Sequence, residues 1–288
     1  MKLLYIHGIG QGDTTKAALE TKWGGLLTAH GLPQAKLDAN HAEMAFYGDI
    51  LKRWTTQGGI GALPMGSPVP DGEMHFMADF LDGVAEQLDF DDDAITELAM
   101  SAAAETGAAA IAQSTWLGRR AVAILSLLEQ VSPLHGAALA TFIREAYTYL
   151  ANPGAKQEID QHVRAMVPDG DVVIVAHSLG TIVAYTALRD FQLDRPGVKV
   201  PLLITVGSPL GAHQVKARIG PPWAVPGNVA DWSNYYDKGD PVTLGRALAR
   251  DFAVGISDHV VNNQTTNGHS IEGYLDEAQI VAKLAAVL

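Results

Sequence analysis

The chain has 288 residues, of which 48% are hydrophobic and 18% are charged. This composition is too apolar for a disordered chain and is sufficient to bury a large core. The 20 Lys and Arg residues against 32 Asp and Glu residues give a net charge of −12. That balance argues against a nucleic-acid partner, because surfaces that bind polyanions concentrate cations. The absence of cysteine excludes disulfides, thiolate metal sites and a cysteine nucleophile.

The beginning of the chain lacks the pattern of a secretory signal. The apolar run Leu3–Ile6 stops at His7 and is too short for the hydrophobic region of a signal peptide. No apolar stretch reaches the length of a transmembrane helix, and the run at 121–128 is interrupted by Ser126. We therefore expect a cytoplasmic protein without a transmembrane segment.

The first 50 residues read as strand, glycine-rich loop, helix and strand. Leu3–Ile6 is a continuous apolar run, as expected for a strand that is buried on both faces. A helix follows, capped by Asp13 or Thr14 and ended by Gly31. Ala42–Tyr47 alternates between two faces and predicts a second strand.

The region from about 50 to 168 predicts mainly helices. It begins with an irregular stretch rich in Gly and Pro at 58–70. Apolar residues at helical spacing then run from Met77 to Leu88 and from Leu139 to Leu150, and Asn152 with Pro153 closes the second helix. A region of this length is too long for a connection, so we expect part of it to cover a functional site.

The last part of the chain returns to alternating strands and helices. The predicted elements are a strand at Asp171–Ala176, a helix at Thr181–Arg189, strands at Val198–Val206 and Trp232–Tyr236, and a final helix at Ala278–Leu288. Buried strands separated by helices favour an α/β fold with a mainly parallel central sheet and helices on both faces.

The strongest functional pattern is Ala-x-Ser-x-Gly around Ser178, placed between a strand and a helix. A serine in such a turn is held out of the sheet, where its hydroxyl can be reached. The small residues Ala176 and Gly180 fit a turn that brings the flanking backbone close. The free amides at the start of the helix, including that of Leu179, are suited to bind a developing oxyanion.

This segment resembles the α/β-hydrolase family and, within it, the lipase-like serine esterases. The resemblance spans nearly the whole chain. It implies one α/β-hydrolase domain over 1–288, with a helical insertion or cap at about 50–168. Ala176 departs from the family pattern, in which a glycine is common at that position.

A second part of the resemblance is the loop after the first strand, which begins with His7 and Gly8. In the family this loop supplies the second amide of the oxyanion hole, and Ile9 is the matching position. The alternative, a dinucleotide-binding loop, has the wrong glycine spacing, since Asp13 stands where the third glycine belongs.

The family's order of catalytic residues is serine, acid, histidine. The matching acid is Asp240, in an Asp-Pro-Val segment after a predicted strand, with Asp237 as the alternative that could instead cap the turn. The matching base is His269, in a polar loop before the last helix. His259 is the alternative and lies in a strand-like run, where a core histidine is also expected.

Taken together, these residues predict a hydrolase of carboxylic esters, with an acyl or lipid ester as substrate and an acyl-enzyme on Ser178. No cofactor is implied. The acidic run Asp89–Asp93 is typical of a helix start, and no motif predicts a catalytic metal. An acyltransferase or thioesterase on the same fold, or an inactive binding protein, remains an alternative.

Overall fold

A sheet of seven strands lies at the centre of the molecule, and its pairings are parallel throughout the described residues. The computed structural model describes residues 1–57, 71–101, 115–131, 133–265 and 267–288. The predicted irregular stretch at 58–70 lies outside these ranges. The strands are β1 (Lys2–Ile6), β2 (Glu43–Ala45), β3 (Gly170–His177), β4 (Val198–Lys199), β5 (Leu203–Val206), β6 (Trp232–Asp237) and β7 (Ser257–Val261).

Helices surround this sheet. Two of them, α1 (Lys16–Ala29) and α2 (Gln34–Ala39), connect β1 to β2. The long predicted helical region forms α3 (Gly48–Gln57), α4 (Asp71–Gln87), α5 (Asp92–Ser101), α6 (Trp116–Val131), α7 (Pro133–Ala151) and α8 (Pro153–Met166). After β3 come α9 (Leu179–Asp194), α10 (His213–Ile219), α11 (Leu248–Asp251), α12 (Ile271–Leu275) and α13 (Ala278–Val287).

The central strands β1 and β3 carry continuous apolar runs because both faces of the sheet are covered there. In β1, Leu4 and Ile6 point into a core that they share with α3–α10, whereas Leu3 and Tyr5 point into a second core with α1, α12 and α13. Successive side chains of a strand alternate between faces, so a strand between two cores needs apolar residues at every position. This arrangement confirms the predicted α/β class with helices on both faces.

Two local predictions are wrong in detail. The first helix is capped by Thr15, whose hydroxyl accepts a hydrogen bond from the Ala18 amide, and not by Asp13 or Thr14. The strand predicted over Val198–Val206 is divided into β4 and β5. Pro201 lies between the two pieces and has no amide hydrogen to donate to a neighbouring strand, which accounts for the interruption.

The order of the strands determines where a site can form. Along the sheet the order is β2-β1-β3-β5-β6-β7, and β4 pairs with the beginning of β3. The chain therefore moves outward in one direction from β1 to β2 and in the other direction from β3 onward. In open parallel sheets, ligands bind at the carboxyl ends of the strands where this direction changes, here between β1 and β3.

Candidate active site

Ser178 occupies the sharp turn between β3 and α9. Its backbone has φ 55° and ψ −128°, a left-handed conformation that is uncommon for a residue with a side chain. The turn is held by a hydrogen bond of 3.1 Å from the Ser178 amide to the carbonyl of Val206 at the end of β5. Strain of this kind at a buried serine is characteristic of functional turns.

Two glycines allow the loop after β1 to lie directly against this turn. A Cβ atom on Gly180 would stand 2.4 Å from the carbonyl oxygens of Ile6 and His7, and one on Gly8 would stand 2.7 Å from the Cβ of Ser178. Only residues without a side chain fit at such a distance. The close contact brings the predicted oxyanion loop beside the serine.

The three side chains predicted for the catalytic relay are brought together in the structure. His269 Nε2 lies 2.7 Å from Ser178 Oγ, and His269 Nδ1 lies 2.7 Å from Asp240 Oδ2. All three residues are buried, and Ser178 and Asp240 have no exposed surface. The arrangement is a continuous chain of hydrogen bonds from the hydroxyl through the imidazole to the carboxylate.

The two alternatives named from the sequence lie elsewhere. The Asp237 carboxylate accepts hydrogen bonds from the amides of Gly239 (2.6 Å) and Asn263 (2.5 Å), so it caps the turn after β6. The ring of His259 stacks on Tyr235 with 4.6 Å between ring centroids, on β7 at the edge of the sheet. Neither side chain contributes to the chain of hydrogen bonds at Ser178.

Asp240 has further partners that the sequence did not indicate. The hydroxyl of Tyr274 donates to Asp240 Oδ2 at 2.6 Å, and the Val242 amide donates to Oδ1 at 2.9 Å. Burial, together with the charge of Asp240, raises the pKa of Tyr274 well above its ordinary value, so the hydroxyl keeps its proton. A buried carboxylate needs such donors, because an unpaired charge away from water is costly.

Two further histidines fix the backbone around the site. His7 Nε2 accepts from the Tyr47 amide at 3.0 Å, so the ring proton lies on Nδ1 and is donated to the Gly8 carbonyl at 2.7 Å. His177 Nε2 lies 2.9 Å from the carbonyl oxygen of His269. Burial lowers the pKa of His7 to about 4 and that of His177 well below the ordinary value, which keeps both rings neutral. Through these contacts both residues hold the backbone next to Ser178 and His269 in place.

A cavity of about 720 Å³ opens next to His269. Its walls come from the loop after β1, from α1, from α7 and from the loop that carries His269; they include Ile9, Trp23, Thr141 and Asn267. A space of this size is in the range of small-molecule sites.

No protein-family model matches the chain, and no curated protein matches it either. Within the part of the chain that the structure describes, no set of His, Asp and Glu side chains is arranged to hold a metal ion. The helices of that part are too short or too polar to cross a bilayer. The chemistry of the site must therefore be inferred from its own residues.

Proposed function

We propose that the protein is a serine hydrolase that cleaves carboxylic esters through an acyl-enzyme on Ser178. The observation that carries this proposal is the hydrogen-bonded chain of Ser178, His269 and Asp240, with 2.7 Å at each of its two links. A serine hydroxyl becomes a nucleophile when a histidine within hydrogen-bond reach accepts its proton and a carboxylate orients that histidine. The strained turn positions the hydroxyl, and the cavity beside it is lined by His269 and by Gly8, which adjoins Ser178.

In the first half of the reaction, Ser178 Oγ attacks the carbonyl carbon of the ester while His269 Nε2 takes the hydroxyl proton. The carbonyl oxygen becomes negative in the tetrahedral intermediate. His269 then gives its proton to the oxygen of the leaving alcohol as the bond between carbon and that oxygen breaks. The acyl group remains on Ser178. Asp240 holds the imidazole with Nε2 towards the serine and stabilises its charged form.

The negative oxygen needs two hydrogen-bond donors close to the serine. No described residue accepts a hydrogen bond from the backbone amide of Leu179 or of Ile9. Leu179 begins α9, where the helix leaves its first amides available, and Ile9 follows the glycine that contacts Ser178. We assign both amides to the oxyanion hole. In the second half of the reaction a water molecule gives a proton to His269 and attacks the acyl carbon. The bond from that carbon to Ser178 Oγ then breaks, His269 returns its proton to Oγ, and the acid is released.

An acyl group with an apolar chain is the narrower part of the proposal. It is supported by five apolar side chains in the cavity next to His269, which are Ile9, Leu19, Trp23, Ala138 and Ile271. Apolar walls of this kind favour burial of an aliphatic chain over a charged one.

The first test is Ser178→Ala, assayed with a series of p-nitrophenyl esters and with a fluorophosphonate probe. In the parent, Ser178 Oγ displaces fluoride from phosphorus, and the labelled residue is identified by mass spectrometry. The variant should lose the label and should lose about 10⁴-fold or more in kcat. Ser101→Ala, at an exposed serine on α5, is the matched control and should retain both activities.

The same assay separates the two histidines. His269→Ala should abolish turnover, whereas His259→Ala should change stability and leave kcat within a few fold. A parent that neither turns over esters nor takes the label would contradict the enzyme assignment and favour a binding protein. Product analysis with added alcohols or with thioester substrates distinguishes hydrolysis from acyl transfer and from thioester cleavage.

A further inference from the structure

Glu145 connects the helical region to the loop beside the serine. It lies on α7, and its Oε2 accepts a hydrogen bond of 3.0 Å from the amide of Gly10. The two residues are 135 positions apart in the chain. A carboxylate that accepts from a backbone amide forms a charge-assisted hydrogen bond, which is stronger than the bond to a neutral acceptor.

The surroundings of Glu145 are costly for a charge. Burial raises its pKa to about 7, while the Gly10 amide and the neighbouring Arg144 act in the opposite direction. Tyr47 is a further titratable group near it, since the charge of Glu145 raises the pKa of Tyr47, and Arg144 also lowers the pKa of Glu73 on α4. Glu145 is half-buried, and a carboxylate that is held partly away from water is stabilised by a hydrogen-bonding partner.

That partner is the loop of residues 8–10. Gly8 is fixed against Ser178, and the Ile9 carbonyl accepts from the Gln11 side chain at 2.8 Å. Gly10 has φ 70°, and a side chain added there would meet nothing within 4 Å, so the space beside its Cα is open. The Ile9 side chain packs against the core, and the bond to Glu145 is the described side-chain contact that holds the Gly10 peptide.

We propose that Glu145 is a positioning residue that holds the 8–10 loop so that the Ile9 amide faces the carbonyl oxygen of the substrate. This inference rests on the proposed hydrolase function. Glu145 touches no reacting atom itself, and its effect passes through Gly10 to the adjacent peptide. Helix α7 then has two roles at the site, because it lines the cavity and also holds the 8–10 loop.

The test compares Glu145→Ala, Glu145→Gln and the parent, with Glu73→Gln as the matched control. Glu73 is a buried acid near Arg144 and, like Glu145, has a pKa raised to about 7 by burial, but it makes no described contact with the loop. Rates are expressed per site labelled by the fluorophosphonate, so that unfolded protein is not counted. Glu145→Ala should lower kcat about 10-fold to 100-fold with KM within about threefold, because the oxyanion donor acts in the transition state.

Glu145→Gln keeps an acceptor without the charge and provides a second readout. In the ratio of parent kcat to variant kcat, the effects of the titratable groups that both proteins share cancel. Below pH 6 the parent carboxyl is protonated, and the ratio should approach one. Above pH 8 the carboxylate holds the loop more firmly, and the ratio should rise to about threefold or more. Glu73→Gln should give a ratio that does not change with pH.

An unchanged kcat per labelled site in Glu145→Ala, or a flat ratio for Glu145→Gln, would overturn the positioning role. If Glu145→Ala does not fold, the Glu145→Gln ratio decides alone. Loss of the hydrolase assignment looks different, because the parent itself would then fail to react with the ester and with the probe.

Discussion

The acid of the relay depends on a tyrosine that no sequence pattern indicated. Asp240 is completely buried, and its Oδ2 receives hydrogen bonds both from His269 and from the Tyr274 hydroxyl. Tyr274 is itself buried, and its hydroxyl oxygen also accepts from the Asp237 amide at 3.2 Å. The hydroxyl therefore links the turn after β6 to α12, the helix that follows the histidine loop.

We expect Tyr274→Phe to lower the free energy of unfolding by roughly 1–3 kcal/mol, since it removes a donor from a buried carboxylate. Urea unfolding at pH 7 measures this difference. Tyr236→Phe is the matched control, because the Tyr236 hydroxyl makes no described hydrogen bond, and it should change stability by less than about 0.5 kcal/mol. Equal losses in both variants would show that the contact to Asp240 contributes nothing specific.

The sequence was sufficient to find Ser178 because the strand, the turn residues and the helix all fall within one short segment. It could not choose between Asp237 and Asp240 on physical grounds, since Asp237 ends β6, Asp240 lies just after it, and both are followed by turn residues. The choice came from the family resemblance, and the 2.7 Å contact with His269 agrees with it. Tyr274 could not be found, because its hydroxyl meets Asp240 only after the chain has folded.

Strands and long helices were predictable where the apolar residues keep one regular spacing along the segment. The apolar run in β3 and the helical spacing in α4 and α7 predicted elements close to those observed. The ends of the helices and strands depend on local contacts that the spacing of apolar residues does not show, such as the cap at Thr15. The packing of α7 against the loop after β1 could not be predicted, because it joins segments that are far apart in the chain.

The close packing of α9 against β1 leads to a prediction for a pair of glycines. Gly180→Ala would place a methyl group 2.4 Å from two backbone oxygens, which cannot move without separating the helix from the strand. We expect a loss of several kcal/mol in the free energy of unfolding and a loss of probe labelling. Chemical denaturation and labelling measure the two effects.

Gly25→Ala is the control for that substitution. Gly25 lies in α1, and an added methyl group there meets nothing within 4 Å. The variant should be more stable than the parent by about 0.5–1 kcal/mol, since alanine favours the helix more than glycine does. A Gly180→Ala protein as stable as the parent would contradict the described contact between α9 and β1.

The distribution of buried acids gives the whole protein a characteristic response to pH. Burial raises the pKa of Glu73 to about 7, from an ordinary value of 4.5. The folded state then binds a proton that the unfolded state has released, so stability falls as the pH rises from about 4.5 to 7. The lowered pKa of His7, about 4, has the opposite effect between about 4 and 6.5.

Comparison of the parent with Glu73→Gln isolates the contribution of Glu73 to this pH dependence of stability. Glu73→Gln should gain stability relative to the parent as the pH rises from 4.5 to 8, by at most about 3 kcal/mol and by less where water reaches the carboxylate. Urea midpoints measured across this range provide the test, with Glu158→Gln, at an exposed ion pair, as the control. A stability difference that stays constant with pH would contradict the raised pKa of Glu73.

The strand order has one more consequence. The groups that surround the serine lie on the segments that follow β1, β3, β6 and β7. These segments come together only when the sheet is assembled from β1 to β7. A partly folded chain can retain helices and even the strained turn, yet it would hold a serine no more reactive than any other. Under the proposed hydrolase function, labelling by the probe thus measures how completely the tertiary structure has formed.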